Sequence, residues 1–237
     1  MINKKILSLI GYVLFFLGLS MLFSAAWSFY YGEPDLIAIL KSSGLTVGMG
    51  LLTFGLTYSK KFKDLTPRDG FAIVTIGWIA MAAFSALPMF FATDLSYTNA
   101  YFEAMSGLTT TGASILGGPS TIDIESLPHG LLFWRSETHL LGGMGFLTLT
   151  LIFLPNGMAG VRIFRAESNP GQVITKEKFL PRNRDAMIWL WVIFLGLNLL
   201  QTLMLWVGGM PLFESLCHAF GTVATAGFSP RDTSLGY

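Results

Sequence analysis

Charged residues are scarce in this sequence. Of its 237 residues only 12% are charged, whereas a soluble domain typically carries about 25%. The net charge of +1 gives no support for a nucleic-acid partner, which would require a clustered basic face. The single cysteine, Cys217, cannot form a disulfide within the chain, which excludes a disulfide-stapled fold. These absences also exclude a soluble enzyme and a disordered chain. Hydrophobic residues make up 52%, so the sequence predicts a membrane protein.

Five apolar stretches are long enough to cross a bilayer, for which a helix needs roughly 20 residues. They are 6–32, 36–59, 70–93, 129–155 and 186–208. A signal peptide is the alternative for the first stretch, because Lys4 and Lys5 precede it. The apolar region of a signal peptide is only about 7–15 residues long, so we favour a spanning helix.

The basic residues predict the orientation of these spans. Twelve of the fifteen Lys and Arg residues lie in the N-terminus and in the connections 59–69 and 156–185. These three regions are on one side if the spans alternate, and the positive-inside rule makes that side the cytoplasm. The N-terminus is therefore predicted to be cytoplasmic. Five carboxylates on the opposite side either concentrate cations at a pore mouth or merely solubilise the surface: Glu33, Asp35, Asp94, Asp123 and Glu125.

One apolar segment is too short to cross the membrane. Residues 98–108 would form a helix of about 16 Å at 1.5 Å per residue, and three threonines and Gly112 follow it. Non-helical backbone at membrane depth survives only where protein buries it or where it lines a water-filled cavity. We therefore predict a re-entrant half-helix and an extended return loop, with a start that could be capped by Asp94, Ser96 or Thr98.

The same pattern recurs after the fifth span. Pro211 can open a short helix, Glu214 suits its positive end, and a Gly/Thr loop follows at 223–229. Aligning Gly112 with Gly227 gives an offset of 115 residues. The offset also pairs Thr110 with Thr225, Ala104 with Ala219 and Ser114 with Ser229. We interpret this as a repeat of span, half-helix and loop, an arrangement that commonly places a binding site at the shared axis.

The two loops suit a dehydrated cation. Backbone carbonyls replace the hydration shell of an ion without adding net charge, and the negative end of each half-helix dipole points at its loop. The alternative is two ordinary Gly/Thr loops. The predicted carbonyl donors are Thr109, Thr110, Thr111, Gly112, Ala224, Thr225, Ala226 and Gly227.

Several motifs carry a resemblance to a known family. Residues 102–113 (FEAMSGLTTTGA) resemble the first filter of the Trk/Ktr potassium transporters, and residues 218–229 (HAFGTVATAGFS) resemble the second. The helix that follows the first filter is similar in LPHG at 127–130, FWRS at 133–136 and GGMG at 142–145. The resemblance covers nearly the whole chain.

The resemblance implies an all-α integral membrane fold of repeated helix–half-helix–filter loop–helix units, preceded by an extra N-terminal helix pair. It implies potassium as the transported ion, held at Thr110, Thr111, Thr225 and Ala226, and no organic cofactor. It further implies a location in the cytoplasmic membrane, a homodimer, and a cytoplasmic nucleotide-binding ring protein as regulatory partner.

The family pattern also predicts how the chain is divided. Residues 1–66 would be the N-terminal helix pair and 67–160 the first pore repeat. Residues 161–185 would be a cytoplasmic connection, and 186–237 a second repeat that stops after its filter loop. Because the family has four filter loops and two are present, we expect the N-terminal half of a longer chain, or a pore completed by other chains.

Two groups of residues in the fourth span leave alternatives open. Arg135, Glu137 and His139 are either structural, through pairing or snorkelling, or part of a proton relay or catalytic site. A membrane-embedded enzyme using Glu137 and His139 is thus the alternative function, and a cation transporter coupled to sodium or protons is another. A glycine cluster in the same span would serve close helix packing or gating: Gly142, Gly143 and Gly145.

Overall fold

The computed structural model describes residues 4–57, 67–118, 122–153, 183–234 and 236, and within these residues it contains helices and no strand. The predicted all-helical fold class is therefore confirmed. The helices are α1 (Lys4–Tyr31), α2 (Leu36–Thr57), α3 (Pro67–Ser85), α4 (Leu87–Ala92), α5 (Tyr97–Leu108), a 3-10 turn (Ile124–Ser126), α6 (His129–Phe153), α7 (Asn183–Val207) and α8 (Leu212–Val223).

Four stretches are long and apolar enough to cross a membrane, and they coincide with four of the predicted spans. They are Ile6–Tyr31, Leu36–Thr57, Asp69–Ala92 and Ile188–Val207. Helix α6 has 25 residues, which at about 1.5 Å per residue also exceeds the hydrocarbon thickness. It begins at His129, as predicted.

The N-terminal pair α1–α2 is joined by a very close helix crossing. Gly11 and Gly50 face each other, and a methyl group on Gly11 would come within 2.8 Å of the Gly50 carbonyl oxygen. The Ser43 hydroxyl adds a hydrogen bond of 2.6 Å to the Gly18 carbonyl on the opposite helix. Small residues permit this approach of two backbones, so the pair packs as one unit.

The third span is interrupted, whereas the sequence predicted one continuous helix over 70–93. Helix α3 ends at Ser85, and the short helix α4 begins at Leu87 with Pro88 in its first turn. Proline lacks the N–H that would continue the helical hydrogen-bond pattern, which explains the break. At the interruption the Ser85 carbonyl accepts a hydrogen bond of 2.9 Å from the indole of Trp134 on α6.

The turn between α1 and α2 caps the first turn of α6. Glu33 accepts a hydrogen bond of 2.6 Å from the His129 backbone N–H, and Asp35 accepts one of 3.1 Å from Leu131 N–H. Ser28 also donates to Asp35, whose burial raises the pKa of its carboxyl above the usual value. Carboxylates are favourable at the positive end of a helix, so Glu33 and Asp35 act as structural caps rather than as an open acidic surface.

One prediction depends on residues outside the described part of the chain, and another is not tested by the structure. Residues 58–66 and 154–182 contain most of the basic connections on which the predicted orientation depends. The divisions at 66/67, 160/161 and 185/186 and the cytoplasmic position of the N-terminus stay predictions.

Candidate ion filter

Two half-length helices approach the same region of the molecule. Helices α5 and α8 each have 12 residues, which corresponds to about 18 Å at 1.5 Å per residue. The Ser96 side chain caps α5 by accepting a hydrogen bond of 3.3 Å from Asn99 N–H, one of the caps that the sequence offered. Pro211 precedes the first helical residue of α8 and so stands one position earlier than predicted.

Both half-helices end with the same hydrogen bonds. At the end of α5, Thr110 N–H donates to the Gly107 carbonyl (3.1 Å) and Thr111 N–H donates to Ser106 (2.9 Å). The end of α8 is built in the same way, with Thr225 N–H donating to Thr222 (3.0 Å) and Ala226 N–H to Gly221 (2.8 Å). This is a Schellman motif, in which the chain turns sharply away from the helix axis.

The turning residue is a threonine in both loops. Thr110 has φ = +53° and Thr225 has φ = +55°, a left-handed conformation that is unfavourable for a β-branched residue. Such positions cost about 1–3 kcal/mol and cluster at functional sites. Two residues later, Gly112 and Gly227 again have positive φ, +73° and +119°. Glycine adopts these angles freely, so both loops follow a backbone path that few sequences permit.

The two loops lie against each other. A methyl group on Gly112 would overlap the Ala226 carbonyl oxygen, so the first loop approaches the second through a position that has room only for hydrogen. All eight predicted carbonyl donors thus belong to two adjacent loops at the C-terminal ends of half-helices. Those ends carry partial negative charge.

The three glycines of the predicted α6 cluster have different neighbours. A methyl group on Gly142 would overlap the Leu108 carbonyl at the end of α5, whereas on Gly143 it would lie 3.2–3.3 Å from the Phe194 and Ala224 side chains. Gly145 faces open space among the described residues. Close packing therefore accounts for Gly142.

An ion pair lies behind the first loop. Arg135 of α6 contacts Glu103 of α5 through Nη2 (2.8 Å) and Nε (3.1 Å), and both side chains are 2% exposed. Glu103 also accepts hydrogen bonds from the Ser114 hydroxyl (2.7 Å) and from Ile115 N–H (3.2 Å). Arg135 is therefore paired rather than snorkelling. Removing one partner of a buried pair typically costs about 3–5 kcal/mol.

The same arginine reaches the second loop. Its Nη1 donates to the Ser229 carbonyl (3.2 Å), and its guanidinium lies 4.4 Å from the centre of the Phe228 ring. His139, one helical turn further along α6, stacks on Phe228 at 4.5 Å. Arg135 and His139 thus hold the segment that follows the second filter loop.

The second half-helix carries different side chains at these places. His218 stands 115 residues after Glu103, and its buried Nε2 has no hydrogen-bond partner in the described part of the chain. It borders a cavity of about 250 Å³ that the second loop also lines. An ion pair of 2.7 Å between Arg231 and Glu214 joins the end of this loop to the start of α8.

The structure does not link Glu137 to His139, the two residues of the alternative enzyme hypothesis. Both ring nitrogens of His139 and the Oε2 atom of Glu137 are buried, with no hydrogen-bond partner among the residues that the structure describes. The two side chains are therefore not hydrogen-bonded to each other. Within the same residues, no group of three or more His, Cys, Asp or Glu could hold a metal ion.

Sequence reasoning missed Glu103, Ser114, Ser229 and His218 as parts of this site. One signal was available for Glu103. A carboxylate inside an apolar half-helix requires a partner, and Arg135 is a cation in a neighbouring apolar helix. The contact of Arg135 with Ser229 joins residues 94 positions apart, and no local pattern indicates it.

Comparison with known proteins agrees with this architecture. The family model described as TrkH, cation transport protein, matches residues 47–237. The chain belongs to the TrkH family of cation transport proteins. The TrkH fold is also found in the crystal structure of the potassium transporter TrkH from Vibrio parahaemolyticus, with a TM-score of 0.80 and 28% identity over 99% of this chain and 46% of that one.

Two TrkH relatives show how much of a family member is present. The Trk system potassium uptake protein TrkH of Halomonas elongata is 36% identical over 99% of this chain and 48% of its own length. The TrkH protein of Escherichia coli K12 is 40% identical over 75% of this chain and 36% of its own length. The chain therefore spans between a third and a half of the length of these two relatives.

Proposed function

We propose that this chain contributes to potassium uptake across the cytoplasmic membrane, through a filter built from backbone carbonyls. The observation that carries the proposal is the pair of matching loops, each with a left-handed threonine and a positive-φ glycine after a half-helix. Two loops of this shape in contact supply several carbonyl groups to one small region. The names of the TrkH relatives, Trk system potassium uptake proteins, support the choice of potassium.

The proposed potassium ligands are the carbonyl oxygens of Thr110, Thr111, Thr225 and Ala226, with Thr109, Gly112, Ala224 and Gly227 completing the two loops. A carbonyl ligand does not depend on the identity of its side chain, so we expect the Ala226 side chain to have a modest effect on selectivity. The negative ends of the α5 and α8 dipoles point at the loops and stabilise a cation bound there. An ion that sheds its water here would exchange it for protein oxygen, as in potassium-channel filters.

The assembly around the chain is part of the proposal. Two filter loops cannot surround an ion from four sides, so further filter loops would come from a longer form of the chain or from other chains. A homodimer in the inner membrane, with the N-terminus in the cytoplasm and a cytoplasmic nucleotide-binding ring protein as regulator, is the arrangement that the family resemblance supports.

The decisive experiment measures ion flux through the complete transporter reconstituted in liposomes. We expect tracer potassium uptake to exceed sodium uptake, and Gly112→Val to abolish that preference, because the new side chain would collide with the Ala226 carbonyl. Gly145→Val is the matched control, since Gly145 faces open space within the described part of the chain. Equal potassium and sodium flux in the unmodified protein, or an unchanged preference in Gly112→Val, would contradict the filter.

A further inference from the structure

Arg135 contacts both filter loops at corresponding places. It donates through Nη2 to the Ser114 hydroxyl (3.2 Å) and through Nη1 to the Ser229 carbonyl (3.2 Å). Ser114 and Ser229 each lie two residues after the positive-φ glycine of their loop. A single side chain thus joins equivalent points of two loops that are 115 residues apart in the sequence.

The guanidinium is held in place by its own partners. Glu103 receives two of its hydrogen bonds, and Phe228 lies against the guanidinium carbon. Arg135 is 3% exposed, so water does not compete for these contacts. Arginine presents its donors in a rigid planar fork, whereas lysine has one compact ammonium group on a flexible stem. Only the fork can reach a carboxylate and two separate loops at once.

The charge of the pair also suits its position. A lone cation behind a cation filter would repel the ion, but the Glu103 carboxylate 2.8 Å from Nη2 compensates the charge of Arg135. The pair can therefore brace the filter without opposing an ion in it.

We propose that Arg135 is a positioning residue that fixes the separation of the two filter loops and so sets the preference for potassium over sodium. This inference rests on the proposed filter function. In potassium-channel filters, selectivity is attributed to the size of the carbonyl cage or to the number of carbonyl dipoles that reach the ion, and both change with the position of the loops. Arg135 acts on that geometry through Ser114 and Ser229 and does not touch the ion.

The test is the ratio of potassium to sodium flux in the complete transporter, measured in liposomes for Arg135→Lys and Ser114→Ala. We expect Arg135→Lys to lower the ratio at least tenfold while cation flux persists. Ser114→Ala removes one of the two links and should lower the ratio by a smaller factor. A purely structural role would instead reduce the amount of folded protein and lower the flux of both ions together.

Ser20→Ala is the matched control for Ser114→Ala, because the Ser20 hydroxyl donates a hydrogen bond of 2.8 Å to the Leu17 carbonyl within α1 rather than to either loop, and its flux ratio should equal that of the unmodified protein. A wild-type ratio in both Arg135→Lys and Ser114→Ala overturns the inference and leaves the filter intact. A non-selective unmodified protein overturns the filter itself. If Arg135→Lys does not accumulate in the membrane, Ser114→Ala decides alone, and its wild-type ratio would be sufficient to reject the role.

Discussion

The two half-helix units of this chain have the same backbone and different supports. The first unit (α5 and loop 109–117) is braced by the buried Glu103–Arg135 pair, and the second (α8 and loop 224–232) by the more exposed Arg231–Glu214 pair. Yet the threonines at the two turns differ by only 2° in φ. Loop shape is thus encoded locally, by the Schellman bonds and the glycine that follows, while the side chains behind each loop are free to differ.

The largest expected difference between the units concerns their glycines. Gly112→Ala combines backbone strain of about 1–2 kcal/mol with an overlap on the Ala226 carbonyl, which adds about 1–3 kcal/mol. Gly227→Ala carries strain without an overlap, because no atom of the described residues lies within 4 Å of the new methyl group. In liposome flux assays we expect Gly112→Ala to lose more potassium selectivity than Gly227→Ala. Equal losses would mean that contact between the loops is unimportant.

The next effect compares two neighbouring glycines of α6 that face different units. Gly142→Ala would press on the rigid Leu108 backbone of the first unit, and we expect it to lower the free energy of unfolding by about 1–3 kcal/mol. The methyl group of Gly143→Ala would lie against the side chains of Phe194 and Ala224, which can move. The higher helix propensity of alanine would stabilise the folded protein by up to about 1 kcal/mol. Thermal unfolding in detergent measures both, with Gly145→Ala as the control. A larger loss in Gly143→Ala would reverse this assignment.

A smaller effect tests whether the two turns are truly alike. Replacing Thr110 or Thr225 by glycine relieves the left-handed strain, at the expense of greater freedom in the unfolded chain. We expect each change to raise the free energy of unfolding by no more than about 1 kcal/mol, and by similar amounts in the two loops. If the free energy of unfolding rises for one variant and falls for the other, the two turns differ in strain energy despite their matching φ angles.

The smallest effect concerns Asp35, which ties α6 to the N-terminal helix pair. Burial raises the pKa of its carboxyl in the folded protein, so its contribution to stability is full below the unfolded pKa of about 3.9 and is lost as the pH rises through the folded pKa. The unfolding temperature of the unmodified protein, relative to that of Asp35→Asn, should therefore fall as the pH rises from acidic to neutral. A constant difference between the two proteins across that range would contradict the raised pKa.

Apart from the break in the third span, local sequence patterns were sufficient to predict the helices and the position of both loops. Helix α6 begins at the predicted His129, and α5 begins one residue before the predicted Thr98. These features follow from apolar run length and from capping residues, which act over a few positions. The orientation and the repeat boundaries stay predictions.

Contacts between distant residues could not be predicted in the same way. Glu103 and Arg135 are 32 residues apart, and Asp35 and Leu131 are 96 apart. Neither separation leaves a periodic signal, because these contacts arise only when helices pack. The break at Pro88 had a local signal in the proline itself, but helices within membranes often tolerate proline. Sequence therefore predicted where the two loops lie better than which contacts hold them in place.

The cap on α6 has a consequence for the order of assembly during synthesis. The first turn of a helix cannot satisfy its own N–H groups, and at α6 those of His129 and Leu131 donate to Glu33 and Asp35. Chains are made from the N-terminus, so α1 and α2 leave the ribosome before His129 does. The carboxylates of Glu33 and Asp35, which accept hydrogen bonds from α6, are therefore synthesised before α6, the helix that bears Arg135.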